Sequence, residues 1–193
     1  MAASFDAICR KQHTDKSSEH HDFCKFYEAH LPSDIDSLLE VGILNGESLK
    51  AWREWQPSAR IVGMDISQPE QERLDHGCIC RHVDQDSVMS LQNAIGTETF
   101  AVILDDGGHS MSQQLNTLYA YWPHVKPGGC FIVEDLHTSP DYSNQTMLGF
   151  IARAKREGHP LLSDLKATQC NFDIEGGEQN EHMTCILQKN LKV

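Results

Sequence analysis

Two acidic pairs and a histidine are the residues best equipped for chemistry: Asp105-Asp106, Glu134-Asp135 and His109. Each pair directly follows a short apolar run, Phe100–Leu104 in one case and Cys130–Val133 in the other. Carboxylates that converge repel one another, so leaving them side by side is costly unless solvent or a cation intervenes. Hard oxygen ligands with room for water suit Mg²⁺ better than zinc. His109 follows Asp106 closely and His137 follows Asp135, and either is a candidate ligand or base. The plainer alternative is structural: Asp106 caps the next helix and Asp135 serves the turn at Thr138. With eleven histidines in the chain, a single one is more often a surface residue.

The elements that must carry these groups can be read around them. Both apolar runs have the length and branched content of buried strands. Between them Met111–Trp122 sets Leu115, Leu118, Tyr119 and Trp122 at helical spacing. Strand, helix and strand with short joints make a βαβ unit, parallel and right-handed. Both acidic pairs then emerge at the carboxyl edge of one sheet, where open α/β folds bind ligands.

Upstream, Ser37–Ile43 reads as a strand leading through Glu40–Gly46 into a helix at Glu47–Trp55. Glycines in that turn let a ligand approach the backbone, and the helix start offers free amides. Neither a Gly-Lys-Ser/Thr loop nor a full dinucleotide fingerprint is present. A second strand, Arg60–Met64, stops at Asp65, where a ribose diol finds its acceptor in such folds. Pro69–Leu74 gives a short helix, Cys78–Val83 a third strand ending at Asp84, and Ser87–Ile95 a helix. Asp84 suits an adenine amino group, and the ordered acidic strand ends argue for an adenosine-bearing ligand.

The flanks are simpler. Phe23–Ala29 is expected to be helical, whereas Met1–Ser18 is polar and without a clear period, with a mobile beginning expected. After the central unit come a helix at Gln145–Arg156 and two alternating stretches, Ala167–Ile174 and His182–Gln188, joined by the turn-rich Glu175–Asn180. Seven strands thus alternate with helices until a final antiparallel pair, an α/β chain of one domain over its 193 residues.

Bulk properties narrow the partners. A formal charge of −12 argues against nucleic acid or an anionic membrane as the main partner. No apolar segment is long enough to span a bilayer, and Met1–Arg10 lacks the core of a signal peptide. The seven cysteines are odd in number and lack zinc-knuckle spacing, and Cys130 and Cys185 lie in apolar strands. Reduced thiols in a cytoplasmic protein are expected.

At these residues the chain resembles the class I S-adenosylmethionine-dependent methyltransferases. The closer likeness is to the macrocin/mycinamicin O-methyltransferase family, which methylates sugar hydroxyls on macrolides. It rests on Thr14-Asp15-Lys16 with His20-His21, on Leu39–Ile43 with Asn45-Gly46 and Ser48-Leu49, and on Ile61–Ile66. It continues through Asp84-Gln85, Asp105–His109 and Lys126–Gly129 to Glu134-Asp135 and Thr138-Ser139. The resemblance implies a Rossmann-like, doubly wound, mostly parallel seven-stranded sheet with an antiparallel C-terminal strand. Residues 36–193 would form its core and residues 1–30 an N-terminal cover, with Thr138–Asn144 closing the site from the other side.

It also implies roles for single residues. S-adenosylmethionine would contact Glu40, Gly42, Asp65 and Asp84, with Asp105 near its methionine end. Asn45, Gly46, Ile66 and Gln85, in the matching segments, complete that set. Mg²⁺ would lie on Asp106, Glu134 and Asp135, and His109 would be the general base, with His137 next in line. The chain departs from the family at Gly108, where serine is commoner, and at Pro140-Asp141-Tyr142, where a tyrosine more often follows the Thr-Ser directly. The segment before Thr14 is also shorter than the long N-terminal region of the macrolide enzymes, so their substrate and assembly do not transfer. The expected partner is a small hydroxylated acceptor, with a homo-oligomer left open. Two rivals stand beside this reading: metal-free methylation of a carboxylate or amine, and a non-catalytic cofactor-binding protein.

Overall fold

The computed structural model describes residues 3–32, 34–67, 76–138, 146–171 and 183–191. Two short helices come first, α1 (Phe5–Gln12) and α2 (Phe23–His30). Strands and helices then alternate: β1 (Ser37–Val41), α3 (Glu47–Trp55), β2 (Arg60–Asp65), β3 (Ile79–His82) and α4 (Val88–Ile95). The central unit is β4 (Phe100–Asp105), α5 (Met111–Tyr121) and β5 (Val125–Val133). The chain closes with α6 (Met147–Glu157), β6 (Leu165–Cys170) and β7 (Cys185–Lys189).

One seven-stranded sheet runs in the order β3-β2-β1-β4-β5-β7-β6. Strands β1 to β5 pair in parallel, and β7 lies antiparallel to both β5 and β6. The order reverses between β1 and β4, a switch point at whose carboxyl edge open sheets bind ligands. Register sets Val41 beside Asp105 and Asp105 beside Val133, which brings both acidic pairs to that same edge.

Alternation along the strands builds two cores. Leu39, Val41, Phe131 and Val133 face one side with Leu91, Leu118 and Phe150 from α4, α5 and α6. Leu38, Ile61, Leu104 and Ile132 face the other with Phe5, Tyr27 and Trp52 from α1, α2 and α3. Strands buried on both faces read as continuous apolar runs, which is why they stand out in the sequence.

Local chemistry settles several ends. Ser110 caps α5, its side chain accepting from the Gln113 amide while Gln113 reaches back, a reciprocal capping box. The helix start therefore does not use Asp106 as its cap. Strand β5 begins earlier than the apolar run, at Val125, because Lys126-Pro127-Gly128-Gly129 continues beside β4 with a shift of register. A Cβ at Gly129 would stand 2.4 Å from the Ala101 carbonyl, so only glycine permits that approach.

The N-terminal reading needs correction. Met1–Ser18 shows no clear period in the sequence, yet Phe5–Gln12 is a helix capped by Ser4, with Phe5, Ile8 and Cys9 buried. Phe5 lies against Trp52 and Trp55, with ring centroids at 4.4 and 4.5 Å. Eight residues carry only one apolar cluster, and tertiary packing rather than propensity holds so short a helix. The expected helix at Pro69–Leu74, the turn at Glu175–Asn180 and most of the Thr138–Asn144 segment lie outside the described residues. All seven cysteines are free thiols, and no described helix is long and apolar enough to cross a membrane.

Because Phe5 is fully buried between two indoles, Phe5→Ala should cost about 3 kcal/mol or more of stability. Urea unfolding checks this, and an unchanged midpoint would mean that α1 is a loose appendage.

Candidate functional site

The loop after β1 sets one wall of the crevice. Gly42 takes φ +84°, and a Cβ there would stand 1.9 Å from the Asp106 carbonyl oxygen. The missing side chain thus lets the loops after β1 and β4 touch. The Gly42 amide donates to the Met64 carbonyl and the Asp106 amide to the Val41 carbonyl, both at 2.8 Å. Asp65, ending β2, fixes the β1 loop from the other side. Its Oδ2 accepts from the Ile43 and Leu44 amides at 2.9 and 3.0 Å, and its Oδ1 from the Ser67 amide and hydroxyl at 2.8 and 2.9 Å. Burial pushes the Asp65 carboxyl up, but these donors hold it below its usual range.

Gln85 fixes the loop after β4. Its Nε2 donates to Asp105 Oδ1 and to Thr117 Oγ1, each at 2.8 Å, and its Oε1 accepts from the Gly108 amide at 2.8 Å. The loop then presents His109 at φ +57°, while Asp135 after β5 sits at φ +54°. Left-handed backbone costs a residue with a Cβ roughly 1–2 kcal/mol, and such strain concentrates at functional sites. His109 Nε2 lies 3.2 Å from Asp135 Oδ2 and 3.9 Å from Asp106 Oδ1. Asp106, His109 and Asp135 each offer one ligand atom, all within 4.8 Å of one another, a group that fits a partly hydrated cation. His137 Nδ1 stands 3.7 Å from the other Asp135 oxygen.

Behind this group lies a residue whose role the sequence does not disclose. Lys16 is only 1% exposed, and its Nζ meets Asp106 Oδ2, Glu134 Oε2 at 2.8 Å and Glu40 Oε1 at 3.4 Å. The Tyr27 hydroxyl donates to the second Glu134 oxygen. Burial opposes the Lys16 charge, but Asp106, Glu134 and Glu40 hold it protonated well above its usual range. Burial likewise pushes Glu40 up to about 7, against the pull of Lys16, and raises Glu134 well above its ordinary value.

The resulting cavity has a volume of about 710 Å³. Of the residues singled out in the sequence, Gly42, Asn45, Asp65 and Ile66 line one side, and Gln85, Asp106, His109 and Asp135 line another. The remaining ones are set back. Glu40 and Glu134 are buried on Lys16, Gly46 caps α3, and Asp105 is buried under Gln85. Asp84 Oδ1 accepts from the Asp86 amide at 2.9 Å and closes its own turn. The segment between α1 and α2 supplies His13, Thr14, Asp15 and His20 to the opposite wall. A lone lysine in a polar stretch gives no local hint of burial, and only the surplus of carboxylates at one edge could have demanded it.

No family model matches the chain. Among curated proteins it is 29% identical over 146 residues to an L-olivosyl-oleandolide 3-O-methyltransferase of Streptomyces antibioticus, covering 69% of this chain and 37% of that protein. It is also 29% identical over 183 residues to a rhamnosyl-tetracenomycin-C 3'-O-methyltransferase of Streptomyces olivaceus, covering 83% of this chain and 43% of that one. Among solved structures it superposes with a TM-score of 0.81 and 21% identity on MycE methyltransferase from the mycinamycin pathway, a complex with Mg, SAH and mycinamycin VI. That match covers 98% of this chain and 55% of the other. The chain therefore spans about two fifths of the curated relatives' length, 37% and 43% in the two cases given. It resembles the macrocin-type O-methyltransferases in sequence and has the class I methyltransferase fold.

Asp105 gives the site a pH signature. Burial pushes its pKa up to about 7, with the Gln85 hydrogen bond opposing, whereas an unfolded aspartate titrates near about 3.9. Between those values the folded chain keeps a proton that the unfolded chain releases, so this group subtracts stability as pH rises. Asparagine carries no such penalty and still accepts from Gln85. Asp105→Asn should gain stability relative to the parent from about pH 5 to about pH 7, read from urea midpoints. A difference independent of pH would contradict the assignment.

Proposed function

We propose that this chain forms an S-adenosylmethionine-dependent O-methyltransferase domain, acting with a divalent cation on a hydroxyl of a small, natural-product-like metabolite. The observation that carries the reading is the convergence of Asp106, His109 and Asp135 on a cavity at the carboxyl ends of β1 and β4. The sugar-directed names of the sequence relatives support the acceptor class, and the Mg and SAH of the MycE complex support the cofactors.

When bound, S-adenosylmethionine supplies an electrophilic methyl and the cation lowers the pKa of a hydroxyl beside it. The chain's own residues do the rest. The β1 loop, Gly42 to Gly46, together with Asp65, Ile66 and Gln85, binds and orients the adenosyl group. The four acceptor positions of Asp65 are already filled, so a ribose hydroxyl would replace the Ser67 hydroxyl. Leu44 and Ile66, 74% and 66% exposed at the rim, offer apolar surface to a ligand. Asp106 and Asp135 would hold the cation, joined by Glu134 if it exchanges a bond to Lys16. His109, beside both aspartates, takes the acceptor proton. The segment 13–20 walls off the acceptor from water, and a cytoplasmic setting agrees with seven free thiols.

The metal-free alternative draws on one observation: Lys16 already compensates part of the acidic edge. Turnover of S-adenosylmethionine with hydroxyl, carboxylate and amine acceptors, with and without chelator, separates the two. The expected result is transfer to hydroxyls that chelator abolishes. Transfer unaffected by chelator would reject the metal, and His109→Ala should lose about 10²–10⁴-fold in kcat while still binding cofactor. Near-normal turnover in that variant would move the base elsewhere.

A further inference from the structure

Nothing in the reaction above needs a lysine, yet Lys16 is buried at the site, only 1% exposed. Its ammonium sits among carboxylates from the ends of β1, β4 and β5, which are neighbours in the sheet. Glu40 and Glu134 are 0% and 2% exposed, and the ammonium stands 3.4 Å from Glu40 and 2.8 Å from Glu134. Three carboxylates therefore share one positive charge, two of them buried and Asp106 17% exposed. Asp106 belongs to two groups at once. Its Oδ2 meets Lys16, and its Oδ1 faces His109 in the group that could hold a cation.

From this juxtaposition we infer that Lys16 is the site's built-in cation: it competes with the divalent ion for Asp106 and keeps metal affinity low. The inference rests on the divalent-cation reading above and adds to it a residue that sets the affinity. Two positive charges on one carboxylate repel, so loading the metal weakens the lysine's hold, and removing the lysine strengthens the metal's. The same ammonium preassembles the acidic edge. Its charge compensates the carboxylates, so that a metal would meet an already arranged group of ligands.

The lysine also ties this balance to the cavity wall. It is anchored in the segment that contributes Thr14 and Asp15, and the Phe23 amide donates to the Lys16 carbonyl at 3.0 Å. A metal that loosens the Lys16 ion pairs would loosen that wall with them. Lys16 is thus a positioning residue that acts through Asp106.

Calorimetric titration of the whole chain with Mg²⁺ and Mn²⁺, without cofactor, tests the inference on the parent, Lys16→Met and Lys16→Arg. Lys16→Met should bind the metal at least tenfold more tightly, and its thermal stability, lowered without metal, should recover on metal addition. Lys16→Arg, which keeps the charge, should bind like the parent. A merely structural ion pair would lower stability without changing metal affinity, and that result overturns the inference. If Lys16→Met does not fold, the parent still answers: the buried ammonium, followed by lysine ¹⁵N NMR, should shift as Mg²⁺ saturates the site. An unperturbed ammonium signal at saturation would overturn the inference. Absence of metal binding in both parent and Lys16→Met would instead sink the divalent-cation reading, and the inference with it.

Discussion

Lys16 Nζ stands where three neighbouring strands end, in contact with Glu40, Asp106 and Glu134. Much of the site depends on that ammonium. Taking a charge from water costs several kcal/mol, and removing one partner of a buried pair costs about 3–5 kcal/mol because the other is stranded. A sheet edge that gathers this many carboxylates cannot close over them without an internal cation. Supplying it from the segment between α1 and α2 obliges that segment to lie across the crevice. Electrostatic compensation and the shape of the cavity thus have one cause.

Around that anchor, the site is held by backbone contacts. Gly42 and the Asp106 carbonyl pack so closely that no side chain fits between the loops after β1 and β4. Asp65 ties down the first loop through two amides, and Gln85 ties down the second through the Gly108 amide. The Gly108 bond holds the backbone beside His109. The Gln114 side-chain amide on the Glu134 carbonyl and the Leu136 amide on the Met183 carbonyl flank Asp135. Both His109 and Asp135 are in left-handed conformations that isolated chains rarely adopt. The two residues paying that strain are also the ones that face each other across 3.2 Å.

Much of this was legible in the sequence, for a definite reason. Strands buried on both faces announce themselves as apolar runs, and their carboxyl ends can be read off as Asp65, Asp105-Asp106 and Glu134-Asp135. Topology then assigns those ends to one edge without further information. What stayed hidden depends on contacts distant in sequence. Helix α1 is too short for a persuasive period and takes its stability from Trp52 and Trp55. Lys16 and Tyr27 reach Glu134 from more than a hundred residues away, at separations of 118 and 107. The acidic edge also resolves into two sets, one lining the cavity and one buried on the lysine. Asp106 belongs to both sets, whereas its neighbour Asp105 belongs to neither and is buried under Gln85, because successive side chains at a strand end point opposite ways.

On the proposed function, the crevice between β1 and β4 binds an adenosyl group and a divalent cation side by side. A crystal structure of the chain with S-adenosylhomocysteine and Mn²⁺ tests it most directly, because Mn²⁺ reports its position by anomalous scattering. The expected result is the nucleoside along the β1 loop with its ribose on Asp65, and one manganese on Asp106 and Asp135 beside His109. A nucleoside bound elsewhere, or manganese absent from those aspartates at saturating concentration, would contradict it.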